Sequence, residues 1–268
     1  MSRRTRRFNA AAALLLFTGL PAAPTATTRV LVMDFTAGHG ATAFLCRELA
    51  DSLALALMED GTLDVVPRSQ MEQEMDLRGL HAPLSEADAL KLAEGLRADR
   101  ALTGEVELQV RENLTGVKLT VRAVLYEVPL QLAVSGAAVT VQLEAKPDES
   151  TSRDRLQLDA LSEACARAAK QLRSGSATAG KVLVVDGRGD LHLDIGTREG
   201  LRLGARVAII RSEINPKTAE RTVRKLGEAK IVSVGATDAV ATPLGQQLPV
   251  RSLDQIRLIY ELPKGQRK

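Results

Sequence analysis

The residues of this chain that could do chemistry are few, and the glycine segment at 38–43 is the first of them. It follows an apolar run at 29–35 and satisfies the pattern G-x-G-x-x-A, in which a turn between a strand and a helix binds a dinucleotide pyrophosphate. Such a site also needs an acidic residue where the second strand ends, and this chain has Pro67 and Arg68 there. No Lys-Ser/Thr pair follows the glycines, which excludes a P-loop. The pattern therefore favours a loop that needs the backbone freedom of glycine, and we expect no bound cofactor.

Side chains suited to metal binding or acid–base catalysis are present but scattered. His39, His81 and His192 are far apart, and no C-x-x-C occurs, so the ligand spacings of a zinc site are missing. Neither G-x-S-x-G nor H-E-x-x-H occurs, and these are the local patterns of common hydrolase sites. We therefore expect no metal, no catalytic residue and no enzymatic activity.

The two cysteines, Cys46 and Cys165, both fall in predicted helices beside apolar stripes. In an oxidising compartment they could form a disulfide, provided that both helices pack on one face of a sheet. The alternative is a pair of buried free thiols, which behave as small hydrophobic side chains. The sequence leaves both alternatives open.

A cluster of four basic residues lies between two predicted strands, one ending near Arg211 and the other starting near Ala229. Cations gathered on one hairpin could bind lipopolysaccharide, glycan carboxylates or an acidic protein. The alternative is an exposed, solvated loop without a partner. The members of the cluster are Lys217, Arg221, Arg224 and Lys225.

The composition and charge favour two aliphatic domains. Of 268 residues, 45% are hydrophobic but only 2% are aromatic and none is Trp, which leaves little for stacking on nucleic-acid bases. Residues 27–180 carry 16 basic and 23 acidic side chains, a net charge of −7, whereas residues 181–268 carry 16 and 10, a net charge of +6. This opposite charge predicts two domains, and we expect no nucleic-acid partner.

The amino terminus has the pattern of an export signal, which predicts a signal peptide over residues 1–26. Four arginines lie among the first seven residues, and an apolar run of about eleven residues follows at 10–20. That run is shorter than the roughly 20 residues of a membrane-spanning helix. Small residues and prolines at 21–26 predict cleavage near residues 23–26, and no cysteine ends the apolar run, so the usual lipid anchor is not expected. We therefore expect a bacterial periplasmic or secreted protein, and association with the outer membrane stays open.

The elements that would position these residues begin with an α/β domain at 27–173. Leu45, Leu49, Leu53 and Leu57 recur at every fourth position, which predicts a helix that packs one stripe on a sheet. Capping boxes are predicted at Ser69 and Ser85. The order of elements predicts a sheet buried under helices, with its first strands parallel. Strands are predicted at 29–35, 63–67 and 101–108, and helices at 42–59, 69–80 and 85–98.

The rest of the chain predicts an antiparallel extension of this sheet and then a separate barrel. Apolar and polar residues alternate at 117–128 and 139–144, as in strands with one face under helices, and a last helix is predicted at 155–173. Residues 174–180 are rich in Ser, Gly and Ala and predict a linker. Short strands punctuated by glycines then predict a small all-β barrel at 181–268. Its strand candidates are 182–185, 191–193, 206–211, 229–234 and 238–242.

Several of these segments carry a resemblance to known envelope proteins. The first domain resembles the CsgG-type periplasmic domain, a family that includes the curli secretion pore, the lipoprotein activators of penicillin-binding proteins, the TolB amino-terminal domain and the middle domain of the flagellar outer-ring protein FlgT. The second domain is similar to the carboxy-terminal SH3-like barrel of FlgT. The segments that carry the resemblance are 30–35, 49–57, 63–70 and 90–104 in the first domain, and 180–182, 193–196, 198–204 and 226–232 in the second.

The resemblance implies an α+β protein: an α/β sandwich like the anticodon-binding domain, with about five strands in a mixed sheet, followed by an SH3-like barrel. It also implies a non-enzymatic scaffold or assembly factor that binds envelope proteins or further copies of itself. The basic second half could in addition bind an acidic envelope polymer. The sheet edge or a helix face of the first domain would carry the contacts between copies. The alternative is a secretion-pore subunit of the curli-export type, built from the hairpin at 117–144, whose strands approach the roughly 9–11 residues needed to cross an outer membrane.

Overall fold

The computed structural model describes residues 27–59, 61, 63–110, 116–145, 153–175, 178–214, 216–219, 221–245 and 249–263. The predicted signal peptide lies outside these residues. The described part of the chain combines a mixed sheet and its helices with a closed, six-stranded antiparallel barrel at the carboxy-terminal end. This confirms the predicted α+β class. Among the described helices, none is both long enough and apolar enough to cross a bilayer.

The first domain is built on a six-stranded mixed sheet with helices on both faces. Its elements are β1 (Thr28–Val32), β2 (Thr36–Ala37), α1 (Ala43–Met58), β3 (Leu63–Val65), α2 (Arg68–Arg78), α3 (Glu86–Gly95), β4 (Arg100–Val110), β5 (Gly116–Glu127), β6 (Leu132–Glu144) and α4 (Arg153–Ser174). The strand order is β3-β1-β4-β5-β6, with β2 beside β4. As predicted, β1 is parallel to both of its neighbours, and β4, β5 and β6 are antiparallel.

Helices α1 and α4 cover one face of the sheet and enclose an aliphatic core. Leu49, Leu53 and Leu57 are buried in this core, which confirms the predicted stripe. The apolar stripe predicted beside Cys165 would include Leu158, but Leu158 is exposed. The inward face of α4 runs through Leu156 and Ala160, two residues to either side.

The two predicted capping boxes had different outcomes. The Ser85 hydroxyl accepts a hydrogen bond from the Asp88 N–H at 3.2 Å, which confirms the start of α3. At α2 the prediction was wrong: the helix begins at Arg68, directly after Pro67, and makes no side-chain cap. The Arg68 guanidinium instead donates to Asp34 at 2.6 Å and to Asp51 at 2.8 Å, and these bonds attach the first turn of α2 to the end of β1 and to α1.

The glycine segment after β1 runs close along β4, where a loop was expected. The Gly38 N–H donates to the Val106 carbonyl at 2.8 Å, and the Leu108 N–H donates to the His39 carbonyl at 2.9 Å. Gly40 has a φ of +67°, and a Cβ there would lie 2.1 Å from the Leu108 carbonyl oxygen. Only glycine fits such an approach. The close contact with β4 therefore explains why the second glycine of the G-x-G pattern is needed, without a bound nucleotide.

Strand β6 begins at Leu132, seven residues before the predicted start at Val139. The missed half is rich in Ala, Ser and Gly, which have weak strand propensity. Gly136 lies where the side chain of Tyr260 packs, and a Cβ on it would lie 2.1 Å from that ring. Gly136 therefore serves packing against the second domain.

The second domain is a barrel closed in the order β10-β11-β8-β7-β12-β9. The predicted barrel omitted β12, which has only four residues and a single fully buried side chain, Ile256. Helix α4 continues through Ser174 and β7 begins at Ala179, so the connection is shorter than the predicted linker at 174–180. The strands are β7 (Ala179–Val185), β8 (Leu191–Leu193), β9 (Arg206–Ile214), β10 (Arg221–Val234), β11 (Ala239–Leu244) and β12 (Gln255–Leu258).

A buried ion pair joins β9 to the residue just before β12. Arg211 on β9 is 7% exposed and Asp254 is 6% exposed, and the guanidinium binds both carboxylate oxygens, at 2.8 and 2.7 Å. The Arg251 N–H also donates to Asp254 at 2.7 Å. Burial by itself raises the pKa of the Asp254 carboxyl, but these hydrogen bonds lower it by more, so the pKa lies below its ordinary value.

The two domains pack directly on each other. Ala208 and Ile210 on the outer face of β9 belong to the same apolar cluster as the α1 and α4 side of the sheet. The Tyr260 N–H, just beyond β12, donates to the Ala133 carbonyl of β6 at 2.9 Å. The barrel is therefore held against the sheet, near the start of β6, by apolar packing and by backbone hydrogen bonding.

Candidate interaction surfaces

The hairpin of β9 and β10 extends past the barrel. Strand β12 pairs with β9 only as far as Ile210, and β11 pairs with β10 only from Glu228 onward. Beyond these points the described residues of the two strands pair only with each other, in the register Ser212–Val223 and Ile214–Arg221. We call residues 212–214, 216–219 and 221–224 the ribbon. Its two strands support a turn that contains Lys217.

The structure brings the four predicted basic residues to this one hairpin, but two of them are paired with acids. Arg224 lies 3.7 Å from the Glu213 carboxylate across the ribbon. Lys225 lies at the base of the ribbon, half-buried, with its Nζ 2.6 Å from Glu228. Lys217 is exposed in the turn, and the side chain of Arg221 lies outside the described residues. Arg224 and Lys217 are therefore the exposed basic side chains on the described part of the ribbon.

Two apolar side chains of the ribbon face solvent, and neither was predicted from the sequence. Ile214 is 67% exposed and Val223 is 37% exposed. Because side chains alternate along a strand and Val223 is opposite Ser212, the two lie on the same face of the ribbon. The signal that could have indicated them is length: β9 and β10 have 9 and 14 residues, longer than any other barrel strand.

The second sheet face is covered only in part, because α2 and α3 pack against β1, the start of β4 and the end of β5. The open part is polar. Arg122 donates to Glu107 at 2.7 Å and lies 3.6 Å from Glu105, and the hydroxyls of Thr120 and Thr140 lie 3.3 Å apart. These cross-strand bonds satisfy the side chains within the face.

The outer edge of β6 is the free end of this sheet. On that edge, within the described residues, the Ala138 N–H is bound by the Gln171 side chain at 3.0 Å and the Ala133 carbonyl by Tyr260. Thr140 and Gln142 continue the same edge, and a sheet edge can accept another strand. The predicted contact between copies at a sheet edge would lie here.

No protein-family model matches the sequence, and no curated protein matches it. The fold is similar over part of its length to several solved structures. The PelC dodecamer from Paraburkholderia phytofirmans is 16% identical with a TM-score of 0.34, and the match covers 55% of this chain and 88% of that one. The LpoB C-terminal domain from Salmonella enterica is 16% identical with a TM-score of 0.34, over 44% of this chain and 83% of that one.

A third similar structure is lipoprotein GNA1162 from Neisseria meningitidis. It is 15% identical with a TM-score of 0.38, and the match covers 46% of this chain and 88% of that one. These TM-scores are too low to establish a function. The resemblance to the CsgG-type domain and to FlgT stays a prediction.

The two cysteines lie in one core. Both are buried free thiols, and the Cys165 thiol donates to the Leu49 carbonyl of α1 at 3.7 Å. Burial raises the pKa of Cys165 to about 12, and burial together with Asp34 raises the pKa of Cys46, so both are protonated at neutral pH. A disulfide between them stays a prediction. Among the described residues, no group of three or more His, Cys, Asp or Glu side chains could hold a metal ion.

Proposed function

We propose that this protein is an exported, non-enzymatic scaffold or assembly factor of the bacterial envelope, and that it binds an acidic partner protein through the ribbon. The observation that carries the proposal is the exposed Ile214, on a pair of strands that leaves the barrel, beside the cations Lys217 and Arg224. Exposed apolar side chains rimmed by polar ones are typical of protein–protein contacts. The finer description, a CsgG-type domain like the anticodon-binding fold with an SH3-like barrel, belongs to the same proposal.

The rigid attachment of the ribbon to the barrel supports this role. Strands β9 and β10 continue into the closed barrel, and the barrel shares an apolar cluster with the first domain. A contact surface held in place in this way loses little conformational entropy when a partner binds. The ribbon is therefore suited to joining a partner to the whole two-domain unit.

The alternative role, a secretion-pore subunit, receives less support. It would require the β5–β6 hairpin to leave the sheet. Leu119 and Val121 of β5 are fully buried in the core that α1 and α4 cover, and β6 packs along α4. Removing these strands would expose that core, so we place the scaffold role ahead of the pore.

The test is retention of the mature chain on isolated envelopes. The ribbon variant combines Ile214→Ser, Lys217→Gln and Arg224→Gln, and we expect it to reduce retention about tenfold, because central contact residues carry most of the energy of an interface. Retention of the wild type should also fall as salt rises from about 0.1 to about 1 M, since the Debye length shortens from about 10 to about 3 Å.

The matched control removes one exposed leucine and two exposed arginines at another turn of the barrel: Leu203→Ser, Arg198→Gln and Arg202→Gln. It should leave retention within about twofold of wild type, the range of near-neutral surface contacts. Equal retention of the ribbon variant and the wild type would remove the ribbon from the proposal.

A further inference from the structure

A cavity of about 440 Å³ lies where the barrel meets the first domain. Its floor is a part of the aliphatic core that α1 and α4 cover. The barrel contributes Ala179 and Arg257 to its wall. The volume is within the range of about 300–1,000 Å³ that is typical of small-molecule sites. The apolar floor is formed by Val30, Leu57, Leu63, Leu125, Val134 and Leu172.

The charged side chains around this floor are three arginines and one glutamate: Arg100, Arg173, Arg257 and Glu127. Glu127 forms a close ion pair with Arg257. Arg173 donates to the Ala56 carbonyl at 2.8 Å. With three cations and one anion, the lining carries an excess of positive charge.

Arg100 is the distinctive member of this group. It is partly buried at the start of β4, on the same face of the strand as the core residue Leu102. Within the part of the chain that the structure describes, no hydrogen bond or ion pair engages its guanidinium. Glu127 lies opposite Arg100 in the register of β4 and β5, but its carboxylate is bound by Arg257. A guanidinium offers paired donors that match a carboxylate or a phosphate.

We propose that this cavity binds a small amphipathic anion, a carboxylate or phosphate monoester with a short aliphatic chain. The anionic group would bind Arg100, and the chain would cover the apolar floor. This site goes beyond the proposed scaffold role and does not depend on the ribbon. Because both domains line the cavity, the ligand would contact both of them and stabilise their junction.

The experiment measures binding to the mature full-length chain by isothermal titration calorimetry with four probes. Decanoate and decyl phosphate carry both features and distinguish the carboxylate from the phosphate source. Decanol lacks the charge, and inorganic phosphate lacks the chain. We expect at least one of the first two to bind, and to bind at least about tenfold more tightly than decanol or inorganic phosphate, because a charge-assisted hydrogen bond is worth about that factor.

The variant Arg100→Gln should weaken binding of the preferred probe about tenfold, whereas Arg188→Gln, which removes an exposed arginine at the β7–β8 turn, should leave it unchanged. Decanol binding as tightly as both anions would overturn the proposal, as would no binding of either anion up to about 1 mM, the weak end of ordinary affinities. Equal affinity of Arg100→Gln and wild type would also overturn it. The comparison of probes on the wild type does not depend on how the variant folds.

Discussion

Replacing Asp254 with alanine should lower the free energy of unfolding by about 3–5 kcal/mol. The change leaves Arg211 buried without its carboxylate partner, and a buried charge that has lost its partner is strongly destabilising. It also removes the acceptor for the Arg251 N–H. Guanidinium denaturation of the mature chain, followed by circular dichroism, measures this difference.

The matched control is Glu213→Ala, which breaks an exposed arginine–acid pair on the same hairpin. It should cost less than about 1 kcal/mol, the range for surface ion pairs. The pKa of Asp254 is lowered in the folded state, so the pair stabilises the fold above the unfolded carboxyl pKa of about 3.9, and this contribution is lost as the pH falls through the lower, folded value. The difference between wild type and Asp254→Ala should therefore shrink at acidic pH, and a difference independent of pH would contradict the assignment.

Replacing Leu53 with alanine should cost about 2–5 kcal/mol of stability. Leu53 is 0% exposed and lies in the core between α1 and the sheet. Truncating its side chain removes buried apolar surface and leaves a cavity that the surrounding side chains fill only in part. Chemical denaturation is again the measurement.

Leu55 provides the control, since it lies in the same helix and is 64% exposed. Leu55→Ala should change the stability by no more than about 0.5 kcal/mol, because it touches little of the core. Equal costs for the two variants would mean that the leucine stripe of α1 does not face the sheet.

The same helix shows why much of the first domain could be predicted from the sequence. Leucines at every fourth position, with Thr42 capping the first turn, are local signals of an amphipathic helix, and α1 begins and ends within one residue of its predicted bounds. The parallel pairing of β1 followed from the alternation of strands and helices. These features depend on neighbours in sequence.

The elements that could not be predicted depend on contacts distant in sequence. The first half of β6 has weak local strand propensity, and its Gly136 is required by Tyr260, which is far along the chain. Strand β2 has two residues and β12 has four, too few to show a period. Each is a strand because its neighbours in the sheet or the barrel supply the hydrogen bonds.

The candidate site was predicted in part. The sequence placed the basic residues on one hairpin, but it did not indicate that Arg224 would pair with Glu213 across the strands. It also did not indicate that a bulge between Lys225 and Gly227 would accompany the pairing of Lys225 with Glu228. The exposure of Ile214 follows from β12 ending its pairing with β9 at Ile210. The register of the barrel strands decides the two ion pairs and the exposure of Ile214.

Site-specific photo-cross-linking in intact cells tests most directly whether this protein acts through the ribbon. A photoreactive amino acid at position 214 is compared with one at position 203, which is equally exposed but lies at another turn. We predict a discrete adduct with an envelope protein from position 214 and none from position 203. Recovery of only the monomer from position 214, or the same adduct from both positions, would contradict this prediction.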